Sequence, residues 1–144
     1  MDILKNTKLA DLKFIAVQLL YIMTFGMTSY SKWIEEGVPQ HFVDRFSDTV
    51  LSILPGGMFF SFYTVAIAET FALALFLISV FKMEWLSESR KIYLESGLVL
   101  SLFIFLILGF GLRLAGEYGG AADLFFYFGV TLIALYIVEK SKTK

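Results

Sequence analysis

Long apolar runs, separated by shorter polar segments, dominate the sequence of this chain. Four runs are almost free of charged residues: 14–33, 59–81, 92–114 and 121–138. A helix needs about 20 largely apolar residues to cross a hydrocarbon core of roughly 30 Å. Backbone polar groups in lipid must be hydrogen-bonded internally, so each run predicts a transmembrane helix. The pattern predicts an all-α fold, a four-helix transmembrane bundle of up-down topology that makes residues 1–144 one integral membrane domain.

A shorter amphipathic pattern lies between the first two runs, over residues 40–54. Phe42, Phe46, Val50 and Leu54 recur every four residues, with polar residues on the other face. Proline and glycine breakers flank the segment on both sides. This spacing predicts an amphipathic helix at the membrane interface between helices one and two. An equally weighted alternative is a partly buried helix that fills space between the helix ends.

Composition supports a lipid environment. Of the 144 residues, 58% are hydrophobic and 17% charged, and the mean hydropathy is +0.74. A soluble domain of this size has too little interior to bury so much apolar side chain. The predicted partner is therefore the lipid bilayer. A net charge of −1 leaves no basic excess for nucleic acid, and the absence of cysteine excludes thiol chemistry and thiolate metal sites.

The distribution of lysine and arginine predicts the orientation of the bundle. Nine of these residues lie in the two termini and in the connection between helices two and three. The other side has three, Lys32, Arg45 and Arg113. Basic residues concentrate on the cytoplasmic side of membrane proteins. Both termini are thus predicted to be cytoplasmic, and the length and charge bias fit a bacterial inner (plasma) membrane.

Four ionisable residues within or beside the spans are the candidate site. Charges in a membrane span are costly and call for a partner or a cavity. From the rise of a helix, Lys32, Glu69, Arg113 and Asp123 lie within about 13 Å of depth in the outer half of the bundle. We expect these four residues to form a buried polar core or to bind a ligand there. The cytoplasmic half is expected to carry no comparable set.

Each candidate also has a purely structural interpretation. Lys32 and Arg113 lie near the outer interface, where long basic side chains extend to water. Asp123 is also explained as an acidic residue favoured near a helix N-terminus. Glu69 has neither explanation, because it is predicted near the bilayer centre. Residues expected at the rim of a pocket form a second set: His41, Glu117, Tyr118 and Tyr127. No metal site is predicted, because the chain has one histidine and no His/Glu set with the spacing of a metal centre.

Three segments carry a resemblance to a known family. The first run contains Gly26 and then Ser29-Tyr30-Ser31-Lys32-Trp33, the second has Ala68-Glu69 before an apolar stretch, and the segment from Gly116 to Asp123 is rich in glycine. Together they resemble the DoxX-like family of small four-helix membrane proteins. Ser29 stands where that family usually has a second glycine, so the chain is identified as a divergent member. The resemblance implies that Lys32, Glu69 and Asp123 are site residues.

The same resemblance implies two kinds of role. Members of that family are linked to membrane oxidoreductase complexes, including thiosulfate–quinone oxidoreductase, and a distant relative assists assembly of nicotinic receptors. We therefore expect an accessory subunit or assembly partner of a membrane complex, with a protein partner or a homo-oligomer. No catalytic motif is present, so participation in an enzyme is expected only as a non-catalytic subunit.

Two further hypotheses come from the polar core. The protein is alternatively a stand-alone binder of a quinone-like or lipid-like molecule, in which Lys32 or Arg113 donates to the ligand and Glu69 or Asp123 accepts a proton. No other cofactor is predicted. The second alternative is a proton-coupled transporter with Glu69 as the carrier. Missing repeat symmetry and a missing inner polar path count against transport.

Overall fold

Five helices make up the described part of the chain. The computed structural model describes residues 9–86 and 88–141. For Leu9 and Ala10 it describes the backbone alone. The helices are α1 Leu9–Ile34, α2 Gln40–Phe46, α3 Gly57–Phe81, α4 Ile92–Leu114 and α5 Tyr118–Lys140. Four of them, α1, α3, α4 and α5, are long and apolar enough to cross a membrane. The predicted all-α fold with four spans is confirmed, and the protein is a small polytopic membrane protein.

The interfacial segment is helical between α1 and α3, but it is shorter than the pattern predicts. The continuous helix expected over 40–54 ends at Phe46, and a 3-10 turn follows over Val50–Ser52. The Thr49 hydroxyl explains the break, because it donates to the Phe46 carbonyl at 2.7 Å and accepts from the Leu51 amide at 3.3 Å. Such local side-chain bonds give the backbone an alternative to the helical ladder.

Contacts between the long helices establish the topology. The side chain of Gln18, early in α1, contacts Ser79, late in α3. Lys32, late in α1, contacts Glu69 in the middle of α3. These two contacts place α1 and α3 antiparallel. We call the end where α1 and α4 finish the distal end, and the end where they begin the proximal end.

An aromatic stack fills the centre of the bundle. The rings of Tyr21, Phe25, Phe76 and Phe105 pack with centroid separations between 4.9 and 6.2 Å. All four side chains are almost fully buried. The Tyr21 hydroxyl lies 2.6 Å from that of Thr131 and so joins α1 to α5. Buried aromatic pairs contribute about 0.5–1.5 kcal/mol each beyond the area that they bury. The stack therefore fixes the relative positions of the helices around it.

Most of the remaining apolar surface faces outward. In the 18-residue apolar window of each span, at most 39% is buried inside the molecule. Exposed side chains include Met27 on α1, Phe71 on α3, Phe103 on α4 and Ile133 on α5. A soluble protein rarely exposes an apolar surface of this extent, whereas lipid covers it at no cost. The outward faces are thus suited to bilayer contact.

Candidate functional site

An ion pair joins Lys32 to Glu69 inside the bundle. The Lys32 Nζ lies 2.8 Å from the Glu69 Oε2, and the exposed side-chain fractions are 21% for Lys32 and 2% for Glu69. Glu69 is the central residue of α3, which is 25 residues long. Ala66 and Ala72, both fully buried, lie one turn to either side of it. Small residues permit close helix approach. The pair therefore forms where the end of α1 reaches the middle of α3.

α3 extends further towards the distal end than α1 does, and this difference leaves space beside the Lys32–Glu69 pair. α1 ends at Ile34, two residues after Lys32, whereas α3 continues on the distal side of Glu69 for half of its length. That half is about 18 Å long at the rise of an α-helix. The connecting segment 35–56, which contains α2, occupies the distal end and leaves a cavity of about 480 Å³ beneath it.

The walls of this distal cavity are mainly apolar. They are formed by the end of α1, the interfacial segment, the distal half of α3 and the end of α4. Phe42, Phe46 and Phe62 supply aromatic surface, and Gly111 of α4 provides room by having no side chain. Lys32, Arg45 and His41 add polar groups to the same walls. An apolar cavity with a few polar groups is the usual form of a small-molecule site.

A second ion pair ties α2 to the connection between α4 and α5. The Arg45 Nε lies 2.7 Å from the Glu117 Oε1, and each side chain is 42% exposed. Because exposed ion pairs contribute only about 0–1 kcal/mol, this contact orients α2 more than it stabilises the fold. Two of the predicted rim residues thus lie at the cavity: His41 lines it, and Glu117 contacts Arg45 in its wall.

The other predicted site residues lie outside the Lys32–Glu69 pair. Arg113 is exposed, with its guanidinium 5.2 Å from the centre of the Tyr118 ring, and Asp123 is exposed on α5. Tyr118 and Tyr127 are also exposed, and the Tyr127 ring packs against Phe105 at an angle of 38°, with 5.8 Å between the ring centres. Of the four ionisable residues expected to lie together, the structure brings Lys32 and Glu69 into contact and leaves Arg113 and Asp123 exposed. The physical reason is that Arg113 stands one residue before the end of α4, where its long side chain reaches the surface.

The proximal half carries a buried polar network that the sequence reasoning missed. The Gln18 Nε2 donates to the Ser79 Oγ at 2.7 Å, and the Ser79 hydroxyl donates to the Glu84 Oε2 at 2.8 Å. The Glu84 carboxylate also accepts the backbone amides of Tyr93 and Leu94 at 3.1 and 2.7 Å. It therefore caps the N-terminus of α4, where amides lack helical partners. The expectation that this half has no comparable set is corrected. Gln18, a glutamine within an apolar span, was the sequence feature that could have indicated this network.

Lys91 lies beside this network and is 1% exposed. Its ammonium donates to the Leu86 and Ser89 carbonyls at 2.8 and 3.2 Å and sits 4.6 Å from the centre of the Phe14 ring. Burial lowers the pKa of Lys91 below its usual 10.5, although Asp11, Glu84 and Glu95 favour the charged form. Desolvation penalises the ammonium more than these carboxylates stabilise it.

This pKa shift predicts a pH dependence of stability. Because the folded-state pKa of Lys91 is lowered, the folded protein releases this proton at a lower pH than the unfolded chain. The unfolded state binds more protons in the window that ends near 10.5, so the contribution of Lys91 to stability rises with pH there. Unfolding midpoints in detergent should therefore rise with alkaline pH for wild type relative to Lys91→Met. A constant difference between the two proteins would contradict this.

The aromatic stack separates the two polar groups along the bundle. Phe25 lies between Gln18 and Lys32 on α1, and Phe76 lies between Glu69 and Ser79 on α3. Both rings are almost fully buried. The Lys32–Glu69 pair and the distal cavity therefore form one site, and the Glu84 network forms another at the opposite end. Comparisons of the chain with protein families, curated proteins and solved structures give no match.

Proposed function

We propose that this membrane protein binds a lipid-like or quinone-like molecule in its distal cavity. The observation that carries the proposal is the coincidence of an apolar cavity of about 480 Å³ with Lys32 in its wall. Small-molecule sites usually measure about 300–1,000 Å³ and combine apolar walls with a few polar groups that orient the ligand. An apolar body would fill the space between α2, α3 and α4, and a polar end would meet Lys32.

The Lys32–Glu69 pair supports a function beyond stability. Replacing a buried ion pair by apolar side chains is often neutral or stabilising by about 1–4 kcal/mol, so such a pair is weak evidence for a purely structural role. In a membrane span, ionisable residues commonly mark ligand or ion pathways. Lys32 keeps 21% of its side chain exposed, and it is a cavity-wall residue. The pair thus presents a donor to whatever occupies the cavity.

Filling the cavity with protein should abolish ligand binding. Gly111 lines the cavity, and an added Cβ there would lie 3.7 Å from the Phe46 ring, at ordinary contact distance. Gly111→Leu is therefore expected to fold and to occupy space that the ligand needs. Native mass spectrometry of protein purified in mild detergent should show a retained small-molecule adduct on wild type and none on Gly111→Leu.

Gly129→Leu is the matched control for this experiment. It places the same side chain in α5, where an added Cβ would meet nothing within 4 Å. We expect this variant to retain the adduct of the wild type. Wild type without any adduct, or Gly111→Leu with an adduct at the wild-type level, would contradict the proposal.

Two further features belong to the same proposal. The basic excess at the proximal end supports cytoplasmic termini in a bacterial inner membrane, which would place the distal cavity on the outer side. The likeness to the DoxX-like family supports an accessory role beside a membrane complex. Binding a small molecule is compatible with that role, and the identity of a protein partner stays a prediction.

A further inference from the structure

The charges around the distal cavity are already compensated. Lys32 and Arg45 line the cavity, and each lies within 2.8 Å of a carboxylate, that of Glu69 or that of Glu117. A third carboxylate, Glu35, also lines the cavity. Three carboxylates therefore accompany two cations. An entering anion would be repelled by Glu35 and would have to compete with Glu69 for Lys32.

Hydrogen-bond donors, in contrast, are in excess at the same place. A lysine ammonium has three donors and an arginine guanidinium has five. Among the described residues, the acceptor that contacts Lys32 is the Glu69 Oε2, and the one that contacts Arg45 is the Glu117 Oε1. The Lys32 side chain as a whole is 21% exposed, and its ammonium lies in a wall that is otherwise mainly apolar. A donor in such a place is stabilised by an acceptor.

We infer that the ligand of the distal cavity is a neutral amphiphile whose polar end carries acceptor oxygens, such as an ester or a ketone carbonyl. This inference rests on the proposed function and specifies its ligand class. A neutral carbonyl accepts from Lys32 without displacing Glu69, and it adds no charge beside Glu35. A fatty-acid anion would be repelled by the Glu35 carboxylate. A hydrocarbon would offer no acceptor to the Lys32 donors that Glu69 does not use.

Probes with one chain length and different polar ends test the ligand class. Methyl laurate is neutral with a carbonyl acceptor, laurate is its anion, and dodecane has the chain without an acceptor. Binding to the purified protein is measured for each probe by native mass spectrometry titration. One additional hydrogen bond to a charged donor predicts that methyl laurate binds about tenfold more tightly than dodecane. Repulsion by Glu35 and competition with Glu69 predict that it also binds more tightly than laurate.

Variants assign this preference to Lys32. The double variant Lys32→Met/Glu69→Leu removes the donor without leaving either partner unpaired, and we expect it to bind methyl laurate no more tightly than dodecane. Arg113→Gln, an exposed position outside the cavity wall, should keep the wild-type order. The order of the three probes on wild type decides the inference even if the double variant does not fold.

Each outcome has a defined meaning. If no probe binds to wild type, the proposed function itself fails. If the probes bind but laurate binds most tightly, or all three bind equally, the cavity binds amphiphiles and the neutral ligand class is wrong. If methyl laurate keeps its advantage in a folded double variant, Lys32 is not the donor, and the inference is also overturned.

Discussion

Lys32→Met is expected to lower the free energy of unfolding by about 3–5 kcal/mol, the usual cost of removing one partner from a buried ion pair. The cost is large because Glu69 is 2% exposed at the centre of α3 and would lose its cation. Glu69→Leu should cost less, because the Lys32 that remains is 21% exposed and its flexible chain can turn towards water. Reversible unfolding in mixed detergent micelles measures both values.

The double variant Lys32→Met/Glu69→Leu completes the cycle. With neither charge left, we expect stability within about 1.5 kcal/mol of wild type, and therefore a large coupling energy between the two positions. Arg113→Met is the matched control, since it removes a cation that is exposed. If the effect of the double variant equals the sum of the two single effects, the Lys32–Glu69 pair contributes no coupling energy to stability in the micelles.

Gly97→Ala is the second substitution with a large expected effect on stability. An added Cβ at Gly97 would lie 2.9 Å from the Phe76 Cζ and 3.0 Å from its Cε1. The Phe76 ring has no room to move, because it is fully buried and stacked 4.9 Å from Tyr21. Overpacking of this kind costs about 1–3 kcal/mol, against a helix-propensity gain of at most about 1 kcal/mol. We expect a clear fall in the unfolding midpoint.

Gly109→Ala provides a control with the same added atom and a different neighbour. Its Cβ would lie 2.7 Å from the Phe125 Cε1, a closer contact than at Gly97. Phe125 is 39% exposed, however, so its ring can swing outward into lipid. Gly109→Ala should therefore leave stability unchanged or raise it by up to about 1 kcal/mol, the helix-propensity gain. Equal losses at the two positions would mean that the mobility of the neighbouring ring does not decide the cost.

The four spans were predictable because each depends on local information. A run of about 20 apolar residues is sufficient for a membrane helix, whichever helices pack against it. The observed bounds of α4 equal the predicted ones, and α3 differs by two residues at its start. The end of α2 was not predictable from the hydrophobic spacing of its segment. It depends instead on the hydrogen bonds of one side chain, that of Thr49.

The candidate site was predictable in part. Glu69 is evident from sequence because it interrupts an apolar run, and an isolated charge in lipid demands a partner. The sequence offered three other ionisable residues at similar depth and did not choose Lys32 alone. The exposed position of Asp123 could not be predicted, because α5 is apolar around most of its circumference and the sequence does not mark which face is buried. Glu84 lies outside the spans, where a glutamate is unremarkable.

By itself, the sequence determined the membrane environment, the number of spans and the position of the buried glutamate, since these depend on burial of short segments in lipid. The tertiary structure alone decided that Lys32 is the partner of Glu69 and that a cavity lies beside the pair. It also decided that Glu84 caps α4. The physical reason is that these features depend on where one helix ends against another. Rotation and stagger between helices are set by side-chain packing across the whole bundle, and no single segment encodes them.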